Sequence, residues 1–315
     1  MSNRTARVAD RRQSTPSSAD PRRGRRGVAY GIAAYGLWGM IPLYFKAVER
    51  VAPLELLAHR AFWSCVVLAL LVVALGRWRS VVVSLRKPRL AALLGASTLL
   101  IGLNWLTFIY AVVTDQVLQS SLGYFITPIV NVLLGVLLLG ERLRPLQLVS
   151  LALVVFGVVV RAVLLPGWPW VALVLALSFA FYGLLRKTMP VDGLTGLTVE
   201  TLLLSPMALA YLAYLSTTGG RTGDNTSLWL LALSGPVTTV PLLFFVAAAR
   251  GLRLSTLGFL QYLTPTGQFC VALAYGEPFT WPQGVSFGLI WIAVGIYTFD
   301  SLRRSSPRPP ALEPE

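Results

Sequence analysis

Three ionisable side chains fall inside apolar sequence, where a charge is costly and is therefore a functional candidate. His59 and Arg60 lie about one turn into an apolar run that begins near Leu54, and Glu200 about two turns into another that begins near Leu194. A histidine titrates near physiological pH and a desolvated glutamate can be brought there, so both are candidate proton carriers. Arg60 and Glu200 could pair across a shared cavity, or either could meet a charged group of a substrate. The structural alternative is that His59 and Arg60 orient their helix near the membrane interface, with the arginine reaching out to water. A second tier is polar or aromatic: Tyr35 and Trp38, Asn104 and Trp105, Tyr124 and Asn131, Tyr182, and Gln261 with Tyr262. Apolar and aromatic walls with a few polar groups that fix orientation suit a small-molecule pocket. Hydrogen bonds between helices, and aromatic belts at head-group level, would use the same residues. Asn104 and Gln261 are the stronger candidates, because an amide facing lipid would go unsatisfied.

The elements that must hold these residues follow from composition. Of 315 residues, 55% are hydrophobic and 13% charged, and the mean hydropathy is +0.68. A soluble domain carries roughly 25% charged residues, so the solvent for most of this chain is lipid. A bilayer core of roughly 30 Å needs about 20 apolar residues per helix. Ten runs meet that measure: Val28–Ala47, Leu54–Leu75, Leu90–Val113, Ser120–Leu139, Leu146–Leu165, Pro169–Leu185, Leu194–Leu215, Leu228–Ala249, Ser255–Tyr275 and Trp281–Phe299. Lipid cannot satisfy an open sheet edge, and the alternation of a membrane barrel is absent, so the runs are expected to be helices. The expected fold class is an all-α integral membrane protein with ten transmembrane helices. Connections are short, the longest being Arg77–Arg89 and Ser216–Ser227. Residues 1–27 and 303–315, rich in Arg, Ser and Pro, read as disordered tails. The Arg11-Arg12 and Arg25-Arg26 pairs echo a secretory leader. The run after them holds Trp38 and Pro42, however, and shows no clear small-residue cleavage site.

Charge gives orientation. With the N-terminus inside, 22 of the 27 Lys and Arg fall on the cytoplasmic side and four on or near the other, leaving Arg60, which lies well within a run. That bias places both termini in the cytoplasm. It also accounts for the net charge of +14 without nucleic acid, with lipid head groups as the partner of the basic tail.

The two halves repeat. Ser121-Leu122-Gly123-Tyr124 in the fourth run returns as Thr256-Leu257-Gly258-Phe259 in the ninth, 135 positions on, with Phe108 and Tyr110 against Leu243 and Phe245 at the same offset. Thr127-Pro128 matches Thr264-Pro265, Gly140-Glu141 matches Gly276-Glu277, and Tyr35-Gly36-Leu37 matches Tyr182-Gly183-Leu184. Two units, 28–165 and 166–302, of five spans each follow. Five is odd, so the second must insert upside down relative to the first. Inverted repeats around a central cavity allow a pathway to open alternately to either side, although a channel can carry them too. Prolines Pro42, Pro128, Pro206, Pro236, Pro241 and Pro265 interrupt the runs. The matched pair Pro128 and Pro265 are candidates for bends that gate the cavity or for static kinks that help packing.

The stretches Ala58-His59-Arg60-Ala61-Phe62-Trp63-Ser64, Ser121 to Ile126 running on to Gly140-Glu141-Arg142, Tyr182 to Lys187, and Thr238 to Pro241 with Arg253 to Phe259 resemble the RarD branch of EamA-type permeases, within the drug/metabolite transporter superfamily. The likeness covers about Val28 to Leu302; the long arginine-rich tail departs from the compact family pattern. The resemblance implies a ten-helix basket of two inverted five-helix EamA-like repeats in the inner membrane. It also implies a small-molecule permease, with a tie to chloramphenicol sensitivity.

No GxxxxGK[ST], HExxH or GxSxG occurs. Cys65 and Cys270 both lie in apolar runs, so neither a disulfide framework nor a CxxC metal site is expected. The expectation is a non-enzymatic secondary transporter of a small organic molecule, metabolite or drug, working by alternating access. It needs no cofactor or metal, the proton being the candidate coupling ion. A membrane-embedded enzyme or accessory protein acting on lipid-linked substrates is the alternative, with only His59, Arg60 and Glu200 to offer as catalytic groups. A sensor or assembly factor is disfavoured by the lack of room for a soluble domain.

Overall fold

In hydrocarbon every backbone N–H and C=O must be satisfied within its own segment. The computed structural model, which describes residues 21–163, 167–220, 228–276 and 281–303, meets this requirement with α-helices alone among the described residues. They are α1 (Pro21–Ala47), α2 (Pro53–Ala74), α3 (Trp78–Arg86), α4 (Pro88–Val113), α5 (Val117–Leu139), α6 (Pro145–Val163), α7 (Trp170–Thr188), α8 (Gly193–Thr218), α9 (Leu228–Gly251), α10 (Leu254–Gln261), α11 (Leu263–Ala274) and α12 (Trp281–Arg303). Eight of these, α1, α2, α4, α5, α7, α8, α9 and α12, are long and apolar enough to cross a bilayer, and α6 is a shorter apolar helix. Large apolar side chains such as Leu99, Leu137 and Val163 lie exposed on the outside of the bundle. The chain is an integral membrane protein.

Local chemistry sets the helix ends. Pro53 and Pro88 open α2 and α4, where a missing N–H costs nothing. α5 and α8 stop at Gly140 and Gly219, both in the left-handed conformation that suits a helix C-terminus. α8 starts on Asp192, whose carboxylate accepts from the Thr195 amide at 3.0 Å.

Three sequence expectations change. The first tail was expected to be disordered through residue 27, but α1 begins at Pro21: arginine is a good helix former, and the apolar helix continues backward through the basic segment. Residues 1–20 and 304–315 of the expected tails lie outside the described residues. The Arg77–Arg89 connection contains α3. The ninth run is divided into α10 and α11, because Pro265 has no N–H to offer the carbonyl of Gln261, four residues earlier, and α10 ends at that residue. Its repeat partner Pro128 sits inside a continuous α5.

α5 packs on α7 and α10, α1 on α9 and α11, α2 on α8 and α9, and α6 on α12. One buried cluster gathers Tyr35, Tyr182, Leu197, Phe245 and Leu257, and a second joins Phe125, Val154, Tyr262 and Ile290. The repeated glycines sit where helices touch. A Cβ on Gly123 would lie 3.0 Å from the Ala172 carbonyl oxygen on α7, and one on Gly258 would lie 2.7 Å from the Pro128 carbonyl oxygen on α5. Gly258→Ala should therefore push α10 off α5 and cost roughly 1–3 kcal/mol. Gly288→Ala, where a Cβ meets nothing within 4 Å, should be neutral or slightly stabilising. Thermal denaturation midpoints in detergent would compare the two.

Candidate functional site

One half of the bundle is hollow. A cavity of about 440 Å³ is lined by the later turns of α1 and α4, the length of α11 and the earlier turns of α5 and α7, with Arg60 from α2, Thr238 and Leu242 from α9 and Gln261 from α10. Exposed Val117 and Tyr275 mark the mouth, at the end where α1, α4 and α11 finish. Its floor is aromatic. Trp38 lies 5.6 Å from Phe179 and 5.7 Å from Phe245, and beneath it Tyr35 and Tyr182 pack on Phe245 at 6.2 and 6.1 Å.

Of the residues singled out in the sequence, Arg60, Asn104, Trp105, Trp38, Tyr124, Gln261 and the bend candidate Pro265 line this cavity. Arg60 is half-buried; its Nε donates to Thr238 Oγ1 at 3.0 Å, and its guanidinium carbon lies 5.3 Å from the Trp105 ring centroid and 5.8 Å from that of Phe45. Asn104 donates through Nδ2 to the Leu175 carbonyl at 2.9 Å and to Ser178 Oγ at 3.0 Å, tying α4 to α7. Gln261 Oε1 accepts from Asn131 Nδ2 at 3.0 Å, tying α10 to α5. The other candidates lie off the wall. Tyr35 and Tyr182 are wholly buried below it, Tyr262 donates its hydroxyl to the Phe125 carbonyl at 3.0 Å, His59 is buried beside it in α2, and Pro128 is buried in α5.

Arg60 and Glu200 do not pair. Ala58 and Ala61 of α2 pack near Ala208 of α8, whereas Val72 packs near Val199, so the two helices run antiparallel. Glu200 therefore sits about nine residues, or roughly 13 Å at 1.5 Å per residue, from the depth of Arg60. Its partner is Arg186, with Nη1 3.4 Å from Oε1, and the two side chains are 0% and 2% exposed. Ser97 donates to Oε1 at 2.5 Å and the Tyr182 hydroxyl to Oε2 at 3.1 Å. A guanidinium and two hydroxyls thus supply the partners that a buried carboxylate needs. Gly196 makes the room: a Cβ would lie 1.9 Å from Arg186 Nη1.

This network belongs to a wider closure of the end opposite the mouth. Glu141, from the turn after α5, accepts from the amides of Leu254 and Ser255 at 2.6 and 3.0 Å and from Ser255 Oγ at 2.7 Å, so it caps α10 from the other half of the chain. Lys187 donates to the Ala249 carbonyl at 3.0 Å and to that of Leu252, and Arg250 donates to the Val191 carbonyl. Arg144 pairs with Asp300 at 3.1 Å and Arg77 with Asp192 at 2.9 Å. Phe45 and Phe179 also border the cavity, and nothing in their types or spacing sets them apart; Thr238 stands out in the sequence only as part of a family-like stretch. Glu141 carries a signal in the sequence, the repeated Gly-Glu pair within a family-like stretch, but nothing there points to its role as a cap.

Burial alone would raise the Asp192 carboxyl, but hydrogen bonds from Thr195 and the charge of Arg77 hold it below the ordinary carboxylate range. A depressed folded-state value stabilises above the unfolded value of about 3.9 and loses that contribution as pH falls through the folded one. Asp192→Ala should cost about 1 kcal/mol near neutral pH as a lost cap, and the gap to the parent protein should narrow on acidification below about pH 4. Unfolding followed across pH checks both. Gly196→Ala should drive Arg186 off Glu200 and cost about 3–5 kcal/mol, as much as Arg186→Ala, because either change strands a buried charge. A Gly196→Ala protein as stable as the parent would refute the packing described.

Comparison with known proteins gives concordant matches. Residues 25–162 match the EamA-like transporter family. An uncharacterized transporter of Vibrio cholerae is 47% identical over 92% of this chain and 96% of its own. Protein RarD of Escherichia coli strain K12 is 43% identical over 91% and 99%, and the chloramphenicol-sensitive protein RarD of Pseudomonas aeruginosa is 34% identical over 88% and 95%. A solved crystal structure covers 89% of this chain and 99% of its own at 21% identity with a TM-score of 0.63, a likeness of fold.

Proposed function

The chain belongs to the RarD-type branch of the EamA-like transporter family, and on that premise we propose that it is a secondary transporter moving a small organic molecule across the inner membrane by alternating access. The observation that carries this reading is the one-sided cavity: an aromatic-floored chamber reaches in from one end, and a layer of buried and bridging charges closes the other. A carrier caught facing one side requires that asymmetry, whereas an open channel would be continuous. The transporter names of the relatives support a role without catalysis.

The ten-span inverted repeat is part of the proposal. Residues 28–165 supply α1, α2, α4, α5 and α6, and residues 166–302 supply α7, α8, α9, the α10–α11 pair and α12. Exchanging the halves turns the α5–α7 contact into the α1–α11 contact and maps α2–α8, α5–α10 and α6–α12 onto themselves, and all these contacts occur. Arg60 and Glu200 are each the eighth residue of their helix, one at the open end and one at the closed end. With both termini cytoplasmic, the cavity faces outward and the Glu200 layer lies on the cytoplasmic side. Transport inward and outward then requires the closure of Glu200, Glu141 and their partners to break as the mouth shuts.

The proton remains the proposed coupling ion. Neutralising Glu200 would remove the charge that holds Arg186, and so would loosen the cytoplasmic closure. His59 is the second proposed proton site. Flux in reconstituted vesicles should respond to an imposed pH gradient, and Glu200→Gln and His59→Ala should abolish that response while leaving insertion intact. Gradient-driven flux surviving in both variants would dismiss the coupling.

A further inference from the structure

The cavity wall carries charge of one sign. Lys46 and Arg60 are the charged residues that line it, and no Asp or Glu is among its lining residues. Lys46 is exposed, with Nζ 3.3 Å from the centroid of the Tyr275 ring. Arg60 lies deeper. Its Nε is spent on Thr238 and its guanidinium rests near Trp105 and Phe45, yet among the described residues no carboxylate forms an ion pair with it. Arg186, the other arginine deep in the bundle, has Glu200. A guanidinium at this depth without a counter-charge is unfavourable unless something else supplies one. Anchored through Nε, it retains the terminal N–H groups that bind a carboxylate in a planar fork.

Resting on the transporter reading, the geometry points to an organic monoanion as the substrate class: one carboxylate on a compact aromatic or apolar body, bound through Arg60, with no ammonium group. The body fits the rest of the wall, where Trp38, Trp105, Phe108 and Phe179 provide ring faces, and 440 Å³ lies in the ordinary range for one small ligand. An ammonium would find two cations and no anion there. Zwitterions and amines are therefore disfavoured by repulsion as well as by the lack of a partner. A neutral analogue would fill the same volume and leave Arg60 desolvated and unpaired.

Calorimetric titration of the purified full chain in uncharged detergent tests this with one carbon skeleton in four charge states: 3-phenylpropanoate, its methyl ester, phenylalanine and phenethylamine. The anion should bind at least about tenfold more tightly than each of the others, the ratio expected for one well-formed charge pair. Arg60→Gln should bring the anion to within about twofold of the ester. Three results overturn the assignment: an ester, zwitterion or amine that binds as well as the anion, an anion affinity unchanged in Arg60→Gln, or no binding by any of the four. If Arg60→Gln fails to fold, the ligand series on the parent protein decides alone. Vesicle flux separates this inference from its premise. Arg60-dependent anion binding with no flux under any imposed gradient defeats the transporter reading and leaves the site standing. Flux of the ester or amine without anion binding defeats the substrate class and leaves the transporter.

Discussion

A carboxylate in an apolar layer must be met by charge and by hydrogen-bond donors or it will not remain ionised. Glu200 is met by Arg186, Ser97 and Tyr182, which come from α7 and α4, while Glu200 itself comes from α8. Three helices are thereby committed to one depth and one rotation. The demand reaches as far as a glycine, because only a residue without Cβ at position 196 leaves the guanidinium its place. Tyr182 belongs both to this network and to the stack under the cavity through Phe245. Tyr182 thus joins the closed end to the floor of the open end in one packed structure.

The two ends manage charge differently. At the closed end the cations that bridge helices have named acceptors: a carboxylate for Arg186, Arg144 and Arg77, and backbone carbonyls for Lys187 and Arg250. At the open end Arg60 has a threonine hydroxyl and two ring faces. The contrast separates residues that hold the protein shut from residues that face an incoming molecule, although both kinds first appear as charges in apolar sequence.

Much of the architecture was readable before the structure. Eight of the ten apolar runs fall on helices long and apolar enough to cross a bilayer, since length and apolarity are what lipid selects; the fifth falls on the shorter α6 and the ninth on two short helices. The division of the ninth run was signalled by Pro265 and by the carbonyl it abandons, yet Pro128 carries the same signal and its helix stays continuous. The local sequence does not decide between these outcomes; packing does, and Gly258 lies against the Pro128 carbonyl. Six of the polar and aromatic candidates line one cavity, because polarity and aromaticity in an apolar helix mark an inward face. The Arg60–Glu200 pairing failed for a reason of direction. Equal depths along two helices that enter from opposite sides are unequal depths in the bilayer, and Arg186 lies just past the end of its apolar run, where sequence alone does not mark it as buried.

The cavity wall is built from side chains, while the glycine contacts and capped helix ends that set the backbone lie elsewhere. Gly123 meets α7 through Ala172, Gly258 meets α5 through Pro128, and Glu141 secures the start of α10, and none of the three glycine or glutamate positions borders the chamber. Wall positions such as Phe108 or Gln268 are thus distinct from the positions that make those backbone contacts. One scaffold of this kind can diversify its cargo among descendants by exchanging a handful of residues, which makes it a ready starting point for specialised paralogues.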